Sequence, residues 1–304
     1  MKSCEVSFIP CGLRLNEVGD RRRRSICYGA KVPESVKRYL QSVGGEARGL
    51  VALNRVLVSG DEVADGGLVT LGSEDLRTWH VRNILKVEDG DRIRAGVVDG
   101  ELFDEAEVTL GEDGGISLEL GSGVLVNDVP SVDVLLALPR PGVMSRMWSA
   151  LASLGVGNIF VVNAYRVEKT YFSSKVMREA EIREALVSGL MQSGCDSRVP
   201  KVVVSKRLKN FLTDELDKHT PREALRVVGH PGSDLRRLSQ MDLGEVKRIL
   251  VAIGPEGGWM DREMSMLESF GFQPISLGQR ALRTEVACAA LVTLAHDRLA
   301  SECA

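Results

Sequence analysis

The sequence predicts an α/β protein with two domains, a small β-barrel followed by a parallel sheet that helices cover. Short apolar runs separated by glycine-containing turns occupy residues 47–127, which is the pattern of a small barrel. From Val132 onward, strand patterns alternate with helix patterns, which favours parallel βαβ units. A chain of 304 residues also suits two domains better than one.

Apolar periodicity, with glycine and proline as boundaries, places the individual elements. In the barrel we expect strands at residues 50–57, 67–71, 91–98, 102–110 and 116–120, and one helix at 73–87. In the α/β domain we expect strands at 133–138, 158–162, 201–204, 225–228, 248–253 and 274–277, and helices at 143–154, 174–192, 208–218, 261–270 and 285–299. His80, in the barrel helix, is interpreted as a core or capping histidine. The last helix is almost entirely apolar before His296, so we expect it in the core or in a subunit interface.

Two loops near the end of the chain carry the strongest functional signal. Gly254-Pro255-Glu256-Gly257-Gly258 follows one aliphatic strand, and Leu277-Gly278-Gln279-Arg280-Ala281-Leu282-Arg283-Thr284-Glu285 follows the next. Loops at the carboxyl ends of neighbouring parallel strands form the ligand sites of open α/β sheets, and glycine lets a ligand approach bare backbone. A third loop, Gly229-His230-Pro231-Gly232, can face the same site. Thr284 and Asp261 are predicted to cap the two helices that follow these loops.

The residues alone leave the chemistry of this site open, because Arg283 and Glu285 can also pair with each other or cap the helix. The glycine loop lacks the ending of a phosphate loop, and no dinucleotide fingerprint is present. Six scattered cysteines and four unpaired histidines predict neither a zinc site nor a disulfide framework, and favour a reducing compartment. No apolar run reaches membrane-spanning length. A net charge of −3 argues mildly against non-specific nucleic-acid binding but does not exclude an RNA enzyme.

Together the two loops resemble the signature of the RsmE family, SPOUT-superfamily methyltransferases that act on N3 of a uridine in small-subunit ribosomal RNA. Weaker similarity extends the resemblance over residues 50–304, through His80-x-x-x-Ile84-Leu85, Leu154-Gly155-Val156 and Arg198-Val199-Pro200. The resemblance implies a PUA-like RNA-binding β-barrel at residues 47–128 and a SPOUT-type, trefoil-knotted parallel-sheet domain at 129–304. Residues 1–46 precede both as an N-terminal extension.

The resemblance also implies the chemistry and the residues that carry it. S-adenosyl-L-methionine is the implied methyl donor, and no metal is required. Arg283 is the implied cation for the uridinyl anion that develops when N3 loses its proton, and Glu285 is the implied base or the orienter of Arg283. The implied cofactor-binding residues are His230, Pro231, Ile253, Gly254, Pro255, Glu256, Gly257, Gly258, Leu277, Gly278, Arg280, Leu282, Arg283, Thr284, Glu285 and Ala287.

The implied partners are ribosomal RNA of the small subunit and a second copy of the chain in a homodimer, with no membrane partner. Target specificity is left open by departures from the family's pattern at Lys86, Ser153, Met191, Met260, Gln279 and Val286. The alternatives are a methyltransferase acting on transfer RNA, a non-catalytic RNA-binding or ribosome-assembly factor, and a small-molecule enzyme. We expect a cytoplasmic protein, or a plastid or mitochondrial one if residues 1–46 are a transit segment.

Overall fold

The structure is a computed structural model that describes residues 53–126, 130–232 and 234–302. The predicted extension at residues 1–46, and with it the choice of compartment, lies outside the described residues. The described chain forms two sheets, each with its own strands. These sheets fall within the two predicted domain ranges, whose boundaries stay predictions. Across the described ranges, every helix is too short or too polar to cross a bilayer.

The first sheet is barrel-like and packs around its own cluster of buried side chains. Its strand order is β1-β4-β5-β6-β3-β2, with β7 beside β5, and only the β1–β4 pair is parallel. Along β3, Val69 and Leu71 are buried and alternate with exposed residues, as the period of two requires. The strands are β1 Val56–Val58, β2 Val63–Ala64, β3 Leu68–Leu71, β4 Arg92–Val97, β5 Glu101–Leu110, β6 Ile116–Glu119 and β7 Val124–Leu125.

One helix, α1 Leu76–His80, crosses this sheet and continues as a π-helical turn over Val81–Leu85. Asp75 caps it, because its carboxylate accepts the Arg77 N–H at 2.7 Å. His80 is buried, and its Nε2 atom accepts the Leu53 N–H at 3.1 Å. His80 is therefore a core histidine with a structural hydrogen bond, as interpreted from the sequence.

The second sheet is entirely parallel, with the strand order β10-β9-β8-β12-β11-β13. Its two central strands, β8 and β12, are buried at every position, which explains why both are aliphatic except for Asp133 of β8, whose carboxylate pairs with Arg248 at 2.8 Å. The register places Val251 of β12 opposite Val134 of β8 and Val227 of β11. The strands are β8 Val132–Ala137, β9 Val156–Val162, β10 Lys201–Ser205, β11 Leu225–Gly229, β12 Ile249–Ile253 and β13 Gln273–Ile275.

Helices connect these strands and cover both faces of the sheet. The buried Trp148 of α2 packs in the core, and its indole N–H donates to the Val176 carbonyl at 3.0 Å. In α7 the buried side chains include Leu291, Val292 and Ala295, so part of this apolar helix lies in the core. The helices are α2 Pro141–Ser153, α3 Glu179–Ser193, α4 Leu208–Asn210, α5 Leu216–His219, α6 Asp261–Ser269 and α7 Thr284–Glu302, with a π-helical turn Phe211–Glu215 between α4 and α5.

Several predicted element ends were wrong. Residues 174–178 were predicted as the first part of a helix, but they precede α3. Residues 175–177 form a short 3₁₀ turn, Arg178 is extended, and the Val176 carbonyl accepts a hydrogen bond from the Trp148 indole. Thr284 and Asp261 are the first residues of their helices, so neither is an N-cap. Met260 occupies the cap position of α6, where its N–H donates to Glu263 Oε2 at 2.9 Å. The strands β2 and β7 were missed because two residues are too few to show a period.

Arg55 ties the two sheets together. Its guanidinium is 5% exposed and donates to the Gly194 carbonyl at 2.8 Å, just beyond the end of α3. The same group donates to the Ala95 and Phe103 carbonyls in the first sheet, both at 2.8 Å. Asp104 neutralises it at 2.5 Å. A buried, charged group with this many bonds is costly to separate, so the two sheets are held in one arrangement.

We expect acid to destabilise the protein through His80. Burial lowers the pKa of His80 from 6.5 to about 4. Protonation therefore favours the unfolded chain. The stability that neutral His80 contributes is complete above about pH 6.5 and is lost as the pH falls through 4. The free energy of unfolding decreases by about 3 kcal/mol over this range. His80→Gln keeps an acceptor for the Leu53 N–H and should flatten the stability profile between these pH values in urea unfolding. An unchanged acid slope in this variant would contradict the assignment.

Candidate active site

Five loops meet at the carboxyl edge of the parallel sheet and enclose one cavity of about 730 Å³. They follow β8, β9, β11, β12 and β13 and contribute, among others, Arg140, Arg166, His230, Gly254 and Leu277. Because all the strands are parallel, their carboxyl ends lie on one side, and the chain reverses its strand order between β8 and β12. The structure places every residue that the sequence assigned to cofactor binding or catalysis around this cavity.

The glycine loop after β12 turns sharply and supports its neighbours. The Gly258 N–H donates to the Pro255 carbonyl at 2.7 Å, and Gly258 has φ 74°, a conformation that favours glycine. Glu256 Oε1 accepts the Arg140 N–H at 3.0 Å, which joins this loop to the one after β8. The Arg166 guanidinium donates to the Gly257 carbonyl and joins it to the loop after β9. Three loops are thereby fixed to one another.

The loop after β13 leads directly into α7, with Arg283 as its last residue and Glu285 in the first turn of the helix. Ser276 Oγ accepts the Gly278 N–H at 3.0 Å, and Gly278 has φ 111°. The Thr284 hydroxyl lies 3.5 Å from the Gly254 carbonyl, to which it donates, so the two signature loops touch. Arg283 is exposed and Glu285 is half-buried. Within the described residues, neither side chain has a hydrogen bond or an ion pair, so both remain available to a ligand.

The loop after β11 completes the wall beside β13 and α7. The His230 N–H donates to the Ile275 carbonyl at 3.0 Å, which positions this loop beside β13. A side chain at Gly229 would place its Cβ 2.8 Å from Leu291 Cδ1, so the Leu291 side chain of α7 packs directly over this glycine and would have to shift for a larger residue. Sequence reasoning named this loop as a possible neighbour of the site, and the structure shows that it lines the cavity.

Some lining residues escaped the sequence analysis. Arg140 and Arg146 belong to the loop after β8 and the start of α2, and the position of that loop at a strand's carboxyl end was an available signal. Trp259 follows the glycine loop directly, but its role depends on side-chain direction, which sequence does not show. The lining residues that were not assigned are Arg140, Val143, Arg146, Arg166, Gly229, Trp259, Ala281 and Leu291.

The cavity offers polar backbone, apolar walls and cations. Trp259 is buried against Gly254, and its buried indole N–H has no hydrogen-bond partner among the described residues. Ile253, Leu282 and Leu291 supply apolar surface. In the part of the chain that the structure describes, no cluster of His, Cys, Asp and Glu residues could hold a metal ion. A cavity of this size and lining suits an organic cofactor that carries a few polar groups.

This fold and site define the class of an RNA methyltransferase. A model of the RNA methyltransferase domain matches residues 127–296, more than half of the chain, so the chain belongs to that family. Ribosomal RNA small subunit methyltransferase E 1 of Borreliella burgdorferi is 25% identical over 261 residues, covering 81% of this chain and 99% of the relative. The corresponding Treponema pallidum methyltransferase E is 27% identical over 254 residues, covering 80% and 92%.

A solved structure shows the same fold. The crystal structure of a ribosomal RNA small subunit methyltransferase E from Neisseria gonorrhoeae, bound to S-adenosyl methionine, has a TM-score of 0.63 and 22% sequence identity. The match covers 80% of this chain and 96% of that one. These comparisons confirm the predicted RsmE family and the predicted fold, a PUA-like barrel followed by a SPOUT-type parallel-sheet domain. The trefoil knot stays a prediction.

We expect Gly257→Val to weaken binding of S-adenosylmethionine roughly tenfold or more. The new Cβ would lie 2.8 Å from Arg166 Cδ, so it would push Arg166 off the Gly257 carbonyl and disturb the cavity wall. Calorimetric titration measures the affinity. Gly72→Val is the matched control, because a Cβ at Gly72 meets no atom within 4 Å and the site is remote. Equal donor affinity in the two variants would overturn this account of the glycine loop.

Proposed function

We propose that this protein transfers a methyl group from S-adenosylmethionine to N3 of a uridine in small-subunit ribosomal RNA. The observation that carries the proposal is the cavity between the two signature loops, with Arg283 and Glu285 both uncommitted at its edge. The names of the relatives support ribosomal RNA as the substrate, and the bound cofactor of the Neisseria protein supports the donor.

The lining of the cavity fits S-adenosylmethionine. Bare backbone at Gly278, where a Cβ would meet no atom within 4 Å, permits close approach of the adenosine and its ribose. Glu256, at the mouth, can attract a positive group. When bound, the cofactor supplies an electrophilic methyl group on a sulfonium centre.

Arg283 and Glu285 would prepare the uridine. N3 of uridine carries a weakly acidic proton, so it gains nucleophilic character only as that proton leaves. Glu285 is the candidate acceptor of the proton, because its carboxylate lines the cavity and has no protein partner among the described residues. Arg283 places a cation where the ring develops negative charge. Holding the uracil ring with its N3 atom in line with the methyl group contributes a further large part of the rate.

We expect the purified protein to bind S-adenosylmethionine at micromolar affinity in calorimetry and to transfer tritiated methyl groups to small ribosomal subunits that lack this modification. Arg283→Ala should lower kcat about 10²- to 10³-fold, because a positioned cation is lost. Arg262→Ala, on an exposed part of α6 outside the cavity, is the matched control and should behave as wild type. Nucleoside mass spectrometry should identify N3-methyluridine.

The result can fail in distinct ways. Transfer only to transfer RNA would move the protein to another substrate. Donor binding without transfer to any RNA would remove the proposed activity, and absence of donor binding would favour an RNA-binding factor. Glu285→Gln separates two roles: a base predicts a loss of about 10²- to 10⁴-fold in kcat, whereas an orienter of Arg283 predicts a small one.

We further propose that the protein works as a two-fold homodimer that packs through α7. Val286 and Leu294, 48% and 42% exposed, lie two helical turns apart on one face, and Leu282 beside them is 40% exposed. An apolar strip of this kind at the edge of the cavity suits a self-complementary interface. A second copy in this position would lie next to both predicted catalytic residues.

Sedimentation should therefore show a dimer at micromolar concentration, and the double variant Val286→Asp/Leu294→Asp should be monomeric because it buries like charges at a two-fold interface. Val204→Asp, at a 45% exposed position on the edge strand β10, is the matched control and should leave the dimer intact. A monomeric wild-type protein, or dissociation by the control alone, would refute the α7 interface.

A further inference from the structure

Tyr165 projects from the loop after β9 and is 80% exposed, while its neighbours Ala164 and Val167 are only 6% and 7% exposed. A single exposed aromatic ring is common on protein surfaces, so exposure alone indicates nothing. Here the chain on both sides of the ring is anchored in the core. The backbone of Tyr165 is therefore held at a fixed place, directly before Arg166, which lines the cavity.

Backbone contacts fix this loop to the site. The Tyr165 N–H donates to Glu263 Oε1 at 2.8 Å, while Glu263 Oε2 accepts the Met260 N–H at 2.9 Å. One carboxylate thus holds both Tyr165 and the segment that follows the glycine loop. The next residue, Arg166, contacts the Gly257 carbonyl and lines the cavity. Tyr165 itself does not line the cavity, so its ring lies outside the space for the methyl donor although the next residue lines it.

Cations surround the same mouth. Arg140 and Arg146 are exposed, and both line the cavity from the side of β8 and α2. Arg146 bonds only to the Gly142 carbonyl of its own turn, at 2.7 Å, and the Arg140 guanidinium has no hydrogen bond within the described residues. Arginines of this kind can contact phosphates without losing protein contacts.

On the basis of the proposed methyl transfer to RNA, we propose that Tyr165 is a stacking platform for an unpaired base next to the target nucleotide, with Arg140 and Arg146 on the flanking phosphates. Single-stranded RNA is recognised in this way, by aromatic faces for the bases and by cations for the backbone. Because Tyr165 is next to a lining residue but does not line the cavity, it would receive a neighbouring base while the target base enters the cavity. The platform would position the strand and tolerate several base identities.

The test compares Tyr165→Ala, Tyr165→Leu and Tyr165→Phe in the full-length chain. Loss of one stacked base weakens binding roughly five- to hundredfold, so Ala and Leu should raise KM for unmodified small ribosomal subunits by that factor with little change in kcat. Phe retains the aromatic face and should restore most of the affinity. Donor affinity in calorimetry should not change, because Tyr165 does not line the cavity. Val124→Ala, at a 72% exposed position on β7, controls for loss of surface apolar area.

A second arm measures RNA binding without catalysis, by fluorescence anisotropy with a labelled single-stranded oligouridine. We expect the wild type and Tyr165→Phe to bind the oligouridine more tightly than Tyr165→Leu and Tyr165→Ala. Arg146→Gln should weaken binding and reduce the slope of log affinity against log salt by about one. If wild type binds the oligonucleotide but methylates no subunit, the substrate is wrong and this arm still tests Tyr165.

Two results would overturn the platform. If Tyr165→Leu has the same KM for subunits and the same affinity for oligouridine as the wild type, no aromatic face is used. If Tyr165→Ala changes the oligomeric state, and KM changes only together with that state, then Tyr165 lies in a contact between copies of the chain and not on RNA.

Discussion

The parallel pairing of β12 between β8 and β11 is the constraint on which the site depends. These strands are buried, in register and point the same way, so the turns that leave them emerge at one edge. Hydrogen bonds then link the loops at that edge: Glu256 accepts the backbone N–H of Arg140, and the Thr284 hydroxyl donates to the carbonyl of Gly254. A shift of β12 by one residue would move the glycine loop and break both bonds.

The barrel is attached to this frame with similar rigidity. Leu53 and Leu57 come from the first domain's segment, yet they pack in the core of the parallel-sheet domain. Arg55, between them, is bonded to the first sheet and to the carbonyl that follows α3 of the second domain. An RNA that contacted both domains would therefore meet surfaces at a fixed separation. Such an arrangement favours a folded RNA target over an arbitrary strand, because rigid surfaces select shape.

Sequence patterns located nearly every long element and the residues of the two signature loops, because aliphatic runs and glycine turns are local signals. They failed where the deciding contact is distant. The start of α3 depends on the hydrogen bond from the Trp148 indole to the Val176 carbonyl. The first residue of α6 depends on Glu263, which accepts the Met260 N–H. Arg140 was missed although its loop follows a strand's carboxyl end, and Arg146 was missed because a charge on a helix resembles an ordinary solvated surface until neighbouring loops are placed around it.

The distribution of charge resolves the conflict between a net charge of −3 and an RNA substrate. Weak overall attraction limits non-specific binding, since phosphate neutralisation drives such binding. Arginines concentrated at one mouth still attract a strand locally. The arginines at that mouth belong to different elements: Arg283 immediately precedes α7, whose first turn holds the proposed base Glu285, whereas Arg146 lies on α2. A cation beside the proposed base would affect the rate, and a cation that contacts only phosphates would affect binding, so a single positive surface would serve two separable steps.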